Sequence, residues 1–150
     1  LPLRNGVGIA LLNKNNQIFV AKRIDNPKDF WQMPQGGIDK GEKALEAALR
    51  ELKEETGIES VKLIREINEE ITYHLPNNLL GIIWKGKFKG QKQKWFIMRF
   101  LGKNEEINLK TKYPEFLEWK WINIENITDK VVDFKLHVYE KIKSELMSIY

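Results

Sequence analysis

The chain predicts an α/β or α+β domain, a sheet with helices packed against it. Three observations carry that expectation. Runs rich in β-formers recur between short turn signals, one segment over residues 41–57 has the composition of a helix, and the tail carries apolar residues at helical spacing. At 150 residues, with 42% hydrophobic and 31% charged residues, the chain is long enough to bury a proper core, and a single domain over 1–150 is expected.

Taken in order, VGIALLN (7–13) and QIFVAKR (17–23) are two β-rich runs separated by Lys14-Asn15-Asn16, a hairpin signal. GEKALEAALRELKEETG (41–57) reads as a helix, with Gly57 placed to close it because glycine takes the left-handed backbone of a C′ residue without penalty. Strands are expected at 61–67, 79–84 and 95–101, with Gly86 and Gly90 marking a turn between the last two. EWKWINI (118–124) alternates and reads as a further strand. From Thr128 to Tyr150, Val131, Val138, Ile142, Leu146 and Ile149 share one stripe of a closing amphipathic helix. No repeat, low-complexity run or Pro/Gly/Ser-rich linker divides the chain.

Composition excludes several classes. No run approaches the roughly 18 apolar residues of a membrane span, and no charged-then-apolar leader opens the chain. The absence of cysteine excludes disulfides and thiolate metal sites and fits a reducing compartment, so a cytoplasmic location is expected. A net charge of +4 leans toward anionic partners, yet many proteins of this charge bind no nucleic acid. His74 and His137 belong to no constellation, and two histidines without cysteine make zinc improbable.

The expected helix poses a problem. Glu51, Glu54 and Glu55 crowd its last turns, where the negative end of the macrodipole favours lysine or arginine. With Ala44 at zero and 100° per residue, Ala48, Leu52, Leu45 and Leu49 fall between about 40° and 140°, the expected buried arc. Lys53, Glu46, Arg50 and Lys43 fall between about 180° and 260°, facing solvent, while Glu51 and Glu55 lie near 340° and 20°, beside the core. A charged surface helix would account for the Arg50–Glu54 i,i+4 pair but not for carboxylates at the edge of the core. A hard divalent cation removes both the mutual repulsion and the burial problem, because Mg²⁺ takes carboxylate oxygens and completes its shell with water and phosphate.

Gly36, five residues, Glu42, seven residues, then Arg50-Glu51-Leu52-Lys53-Glu54-Glu55-Thr56-Gly57-Ile58 resembles the Nudix box at every defined position across residues 36–58. The resemblance implies the Nudix fold, a mixed β-sheet sandwiched between α-helices, and hydrolysis of nucleoside diphosphate linkages with Mg²⁺ or Mn²⁺. It implies Glu51, Glu54 and Glu55 as metal ligands, the backbone carbonyl of Gly36 or Gly37 as another, Arg50 as the group orienting the glutamates, and Glu42 as a brace for the loop. The chemistry agrees: a pyrophosphate repels nucleophiles until cations neutralise it. The Gly36-Gly37 pair lets backbone approach a metal or phosphate closely.

Three further segments, WQMPQGGID (31–39), GQKQKWF (90–96), and PEF (114–116) followed by EWKW and VVDFKLHVYEKI, resemble the Nudix subgroup of bacterial RNA pyrophosphohydrolases and plant-type diadenosine tetraphosphate hydrolases. Taken alone, Gln91 to Lys94 would be a solvated turn, Glu115 a loop carboxylate, Arg4 and Arg23 surface charges, and Tyr73, Val132 and Phe134 core or helix-surface residues. The resemblance gives them other roles. Glu115 becomes a base or further metal ligand. Gln35, Gln91, Lys92 and Lys94 bind substrate, Arg4 and Arg23 bind its phosphates, Tyr73 and Phe134 sandwich a nucleobase, and Val132 lies beside them on the last helix. The implied substrate is an RNA 5′ end, left as a monophosphate in mRNA decay; the alternative is a dinucleoside polyphosphate cleaved to ATP and AMP. No membrane or DNA partner is expected. A non-catalytic Nudix binding module would usually have lost the three glutamates, and an enzyme clearing oxidised nucleotides would not explain GQKQKWF.

Overall fold

The structure, a computed structural model, describes residues 1–26 and 28–150. Among them, seven strands form one mixed sheet: β1 (Leu3–Leu12), β2 (Gln17–Arg23), β3 (Gln35–Gly37), β4 (Val61–Glu66), β5 (Ile71–His74), β6 (Gly90–Phe100) and β7 (Phe116–Asn123). Two helices, α1 (Ala44–Thr56) and α2 (Leu136–Ile149), cover its faces. The path runs β4-β6-β1-β2-β7, with β3 added to β1 and β5 to β6.

The first hydrophobic run explains the centre. β1 and β6 pair in parallel from Leu3↔Gly90 to Leu12↔Arg99. Strands covered on both faces read as continuous apolar runs, and VGIALL is one. Val7, Ile9 and Leu11 join Phe96 and Met98 under Ala47, Ala48 and Leu52 of α1. Ala10, Leu12, Trp95 and Ile97 face the other way, under Val138, Tyr139, Ile142 and Leu146 of α2. The sheet therefore lies between the helices, as the Nudix resemblance implies.

Two devices set the site. β3 pairs antiparallel with the start of β1, Gly6↔Gly37 and Gly8↔Gln35, which carries the glycine pair to the sheet's edge beneath α1. Gly57 ends α1 with φ 74°, its N–H donating to the Lys53 carbonyl at 2.8 Å, so the chain turns away immediately after the glutamates.

Three expectations need correction, and two short strands were not expected. Residues 79–84 are not a strand: they lie in a turn-rich connection between β5 and β6 that includes a short 3₁₀ turn, Ile83–Gly86. The segment lacks partner strands because its β-formers, Leu79 and Ile83, pack sideways onto the α2-side core instead of alternating. The strand expected to open at residue 95 opens at Gly90, so GQKQK is ladder and not turn. The strands β3 and β5, of three and four residues, were too short for any periodicity to reveal. Finally, α2 begins at Leu136. Val132 is extended at φ −64° and ψ 141°, and Phe134 sits in a 3₁₀ turn (Asp133–Lys135), so neither belongs to the helix that the apolar stripe suggested.

Candidate active site

Alanines decide which face of α1 is buried. Ala47 and Ala48 let the helix approach β1 and β3 closely, while Leu49, expected inside, is 42% exposed. The buried arc thus runs through Ala47, Ala48, Leu52 and Glu55, and Glu55 is 3% exposed. Glu51 borders that arc, as expected, while Glu55 lies within it.

Arg50 ties the assembly together with all its donors. Its Nε and Nη2 donate to Glu42 at 2.8 and 2.9 Å, Nη2 also to the Gly37 carbonyl at 2.8 Å, and Nη1 to Glu51 Oε1 at 2.8 Å and Glu54 Oε2 at 3.1 Å. Glu42 also receives the Asp39 N–H, at 3.0 Å. These bonds, Arg50's first, hold its carboxyl down to about 2. The loop between β3 and α1 is therefore locked to the helix that bears the acids.

Gly36 admits no side chain, because a Cβ there would lie 2.1 Å from the Glu51 carboxyl carbon. Burial raises the Glu51 carboxyl above its ordinary range despite Arg50. Glu55 is raised further, first by burial, then by the Glu115 and Glu51 carboxylates. Its Oε2 is buried without a hydrogen-bond partner. Such an oxygen is costly unless something positive meets it. Glu115, just before β7, lies 3.7 Å from Arg23 Nη1, and its own carbonyl accepts the Ile24 N–H at 2.9 Å. The set of oxygen donors without sulfur or imidazole, and the orphaned buried carboxylate oxygen, fit a hard divalent cation.

The grouping is looser than a finished cage. Among the described residues no three carboxylates already converge at ligand distances. Arg50 occupies one oxygen each of Glu51 and Glu54, and Glu54 is 59% exposed on the outer side of that guanidinium. Gly36, Glu51, Glu55 and Glu115 are brought together; Glu54 joins them through Arg50.

Beside the glutamates opens a cavity of about 340 Å³. Arg23 and Gln35 lie at its polar side, and Trp31, Trp84, Val132 and Phe134 are in its wall. Arg23 is held in a two-pronged pair with Asp25 at 2.8 and 2.9 Å. Arg4 stands over the Trp84 ring at 5.3 Å and beside Gly37, whose Cβ would lie 2.4 Å from its Nη2.

Several expected substrate residues are placed otherwise. Gln91 is fully buried: its Nε2 donates to the Tyr73 hydroxyl at 3.2 Å and its Oε1 accepts from Gln93 at 3.2 Å. Gln93 also donates to Gln35 at 3.0 Å, so the glutamines form an internal network that steadies Gln35. Lys92 and Lys94 alternate onto the opposite face of β6, nearest Glu70 at 3.9 Å and Glu66 at 3.2 Å, and neither lines the cavity. Tyr73 is 1% exposed, with its ring centroid 5.7 Å from that of Phe134 and the planes tilted by 43°. That spacing is direct ring-on-ring contact, roughly 4.5–7 Å, and leaves no slot for a base between them. Both rings border the cavity, but Tyr73 is almost wholly buried, so Phe134 is the more exposed of the two.

Sequence reasoning missed Lys135, Trp31 and Trp84. Lys135 is buried with its ammonium 5.3 Å from the Tyr73 ring and 5.9 Å from that of Phe134, and burial lowers it to about 8. A lysine heading an amphipathic helix carries no signal of burial.

Comparison with known proteins agrees with this geometry. The NUDIX domain model matches residues 2–142. The chain is 69% identical over 149 residues, covering 99% of this chain and 94% of the relative, to a Pelagibacter ubique (strain HTCC1062) protein named RNA pyrophosphohydrolase. It is 51% identical over 144 residues, 95% and 89% of the two chains, to a Cereibacter sphaeroides (strain KD131 / KCTC 12085) protein of the same name. Among solved structures it resembles an E. coli dihydroneopterin triphosphate pyrophosphohydrolase, with a TM-score of 0.74 at 20% identity over 97% and 99% of the chains. It also resembles a C. elegans Ap4A hydrolase in a binary complex, with a TM-score of 0.65 at 19% identity over 95% and 98%. Those two likenesses speak to the fold. Matched over nearly its whole length, the chain belongs to the NUDIX domain family and is a Nudix hydrolase.

Proposed function

We propose that this hydrolase acts on the 5′ end of RNA, adding water across a phosphoanhydride bond of the 5′-triphosphate. It thereby releases pyrophosphate, or phosphate from a diphosphate end, and leaves a 5′-monophosphate. One observation carries the reading: a buried acidic cluster with an unsatisfied carboxylate oxygen stands beside an aromatic-walled cavity. Phosphate chemistry and a nucleoside-sized recess thus adjoin. The relatives named RNA pyrophosphohydrolase, up to 69% identical, support RNA as the substrate.

Nudix hydrolases generally need a divalent cation; here Mg²⁺ or Mn²⁺, held by Glu51, Glu54, Glu55, Glu115 and the Gly36 carbonyl, would neutralise phosphate charge and lower the pKa of a bound water. Arg50 keeps Glu51 and Glu54 oriented and the Gly37 loop seated. Arg4 and Arg23 supply positive charge to the phosphate chain. Glu115, more exposed than Glu55, is the carboxylate placed to take a proton from water. Phe134 stacks on the base from one side, and Gln35 and Lys135 offer it donors. The single domain works in the cytoplasm; among the described residues no helix is long and apolar enough to cross a membrane.

Parallel assays of 5′-triphosphorylated RNA and diadenosine tetraphosphate, compared by kcat/KM, test the reading. A clear preference for RNA is expected. A preference for the dinucleotide would transfer the function to the alternative.

A further inference from the structure

The connection between β5 and β6 has features that the hydrolytic site does not use. It runs fifteen residues, 75–89, longer than most connections in compact domains, and loops of that length usually serve a function. Trp84 and the following Lys85 both adopt left-handed backbone, at φ 54° and 56°, a conformation rare for side chains of their size. Gly81 and Gly86 also have positive φ, and a Cβ on Gly86 would come within 3.0 Å of Gly81 backbone, so the loop closes tightly on itself. Unusual backbone held this way is characteristic of functional loops.

Its charge is one-sided. No acidic residue occurs between Leu75 and Phe100, while Lys85, Lys87 and Lys89 alternate along the loop. All three are exposed, and none forms an ion pair among the described residues. The nearest acids in sequence, Glu69 and Glu70 before β5, are set against Lys141 and Lys92 instead. Ile82 adds an exposed apolar surface, at 71%.

Both ends of the lysine run abut the nucleotide cavity. Lys85 directly follows Trp84, a wall residue whose carbonyl accepts the Lys87 N–H at 3.2 Å. Lys89 accepts the N–H of Leu75, a second wall residue, at 2.8 Å. A chain leaving the cavity past Trp84 would therefore meet a loop carrying three exposed lysines that form no ion pair among the described residues. Alternating exposed cations beside an aromatic are what a flexible, singly charged-per-unit polyanion requires, and they carry no base-reading geometry.

We propose that the 75–89 loop is a second binding site, a sequence-tolerant track for the single-stranded RNA downstream of the 5′ nucleotide, with Lys85, Lys87 and Lys89 on its phosphates. The inference rests on the RNA reading of the hydrolytic site. It makes length, and not only the 5′ end, a determinant of KM.

The test compares a triphosphorylated dinucleotide with an unstructured triphosphorylated RNA of about ten nucleotides, using the wild-type chain and a Lys85→Gln/Lys87→Gln/Lys89→Gln variant. Wild type is expected to favour the longer RNA by about tenfold or more in kcat/KM, through KM. That advantage should shrink as salt rises from about 50 to 200 mM. The variant, with an unchanged melting temperature, should lose the length advantage to within about twofold while its dinucleotide kinetics stay at the wild-type level. A wild type indifferent to length, or a variant retaining the full advantage, overturns the track. Binding of a fluorescent 5′-hydroxyl RNA of the same length, measured by anisotropy, separates the two readings. If neither triphosphorylated RNA is hydrolysed but the variant alone loses this binding, the activity reading fails and the track stands. Tight binding to vesicles containing anionic lipid, with no binding of either RNA, would assign the lysines to a membrane surface and overturn the proposal.

Discussion

The acidic end of α1 and the aromatic-walled cavity adjoin, yet they are built in opposite ways. All the acids but Glu115 come from one helical segment and the glycine loop before it, and a single guanidinium reaches Glu42, Gly37, Glu51 and Glu54. The cavity wall is gathered from residues 23–26, 30–35, 73–84 and 131–135, segments with no local relationship. Hydrolytic chemistry needs a few groups at fixed mutual distances, and short-range spacing suffices for that. A nucleotide recess needs walls, and walls come from tertiary packing. The contrast predicts that substitutions at the helix end depress turnover, while those in the cavity alter substrate affinity.

The largest effect should come from the glutamates. Glu54→Gln and Glu55→Gln preserve shape and remove charge, and each is expected to lower kcat by at least ~10²-fold in a steady-state RNA assay. In EDTA the melting temperature of Glu55→Gln should hold or rise, since a buried, partnerless carboxylate is removed. A large fall would make Glu55 a structural residue.

Next comes Gly36→Ala, whose methyl would displace the Glu51 carboxylate. Misplacing a catalytic group by about 1 Å can cost about 10²-fold, and a loss of about 10- to 10²-fold in kcat is expected, with KM little changed. Unchanged kinetics would show that the glycine loop has room the structure denies it.

On the cavity side, Phe134→Ala should remove a stacking face worth roughly 1–3 kcal/mol and raise KM for RNA about tenfold. Its melting temperature should fall much less than that of Phe96→Ala, a core position at 1% exposure where truncation costs about 3–5 kcal/mol. A Phe134→Ala protein that melts like Phe96→Ala with normal KM would remove the stacking role.

Tyr73→Phe should be the mildest. Its hydroxyl accepts from the buried Gln91 amide at 3.2 Å, so the change costs about 1–3 kcal/mol of stability, read by urea unfolding, and leaves KM unaltered. A raised KM with normal stability would return Tyr73 to the base-binding role the resemblance suggested.

The same division governs what could be read from the chain. β1, β2, β7 and α1 were legible because each is long enough for its apolar pattern to declare a period, and Gly57 closes α1 where a left-handed residue belongs. The glutamates of α1 were legible through helical spacing together with the Nudix-box resemblance, and Glu115 through the resemblance alone. Their depth was partly so: the wheel put Ala48 and Leu52 inside, as they are, but also Leu49, which is 42% exposed, and it did not place Ala47 there. Residues 79–84 look like a strand, but among the described residues they pair with no strand and end in a 3₁₀ turn. Residues 131–135 follow the apolar stripe of α2 without continuing its backbone. Gln91 looked solvated, since nothing local reveals its bond to a buried tyrosine hydroxyl, and Lys135 drew no reading, since nothing local reveals the two aromatic rings beside it.

The most direct measurement is pyrophosphate release from 5′-triphosphorylated RNA by the EDTA-treated protein, before and after adding back Mg²⁺ or Mn²⁺. On the proposal that the acidic helix end holds a cation, release should be absent in EDTA and return with either metal in the wild type. Glu55→Gln should recover at most ~1% of that rate at the same metal concentration. Hydrolysis that persists in EDTA, or a Glu55→Gln protein restored to wild-type rate, would contradict it.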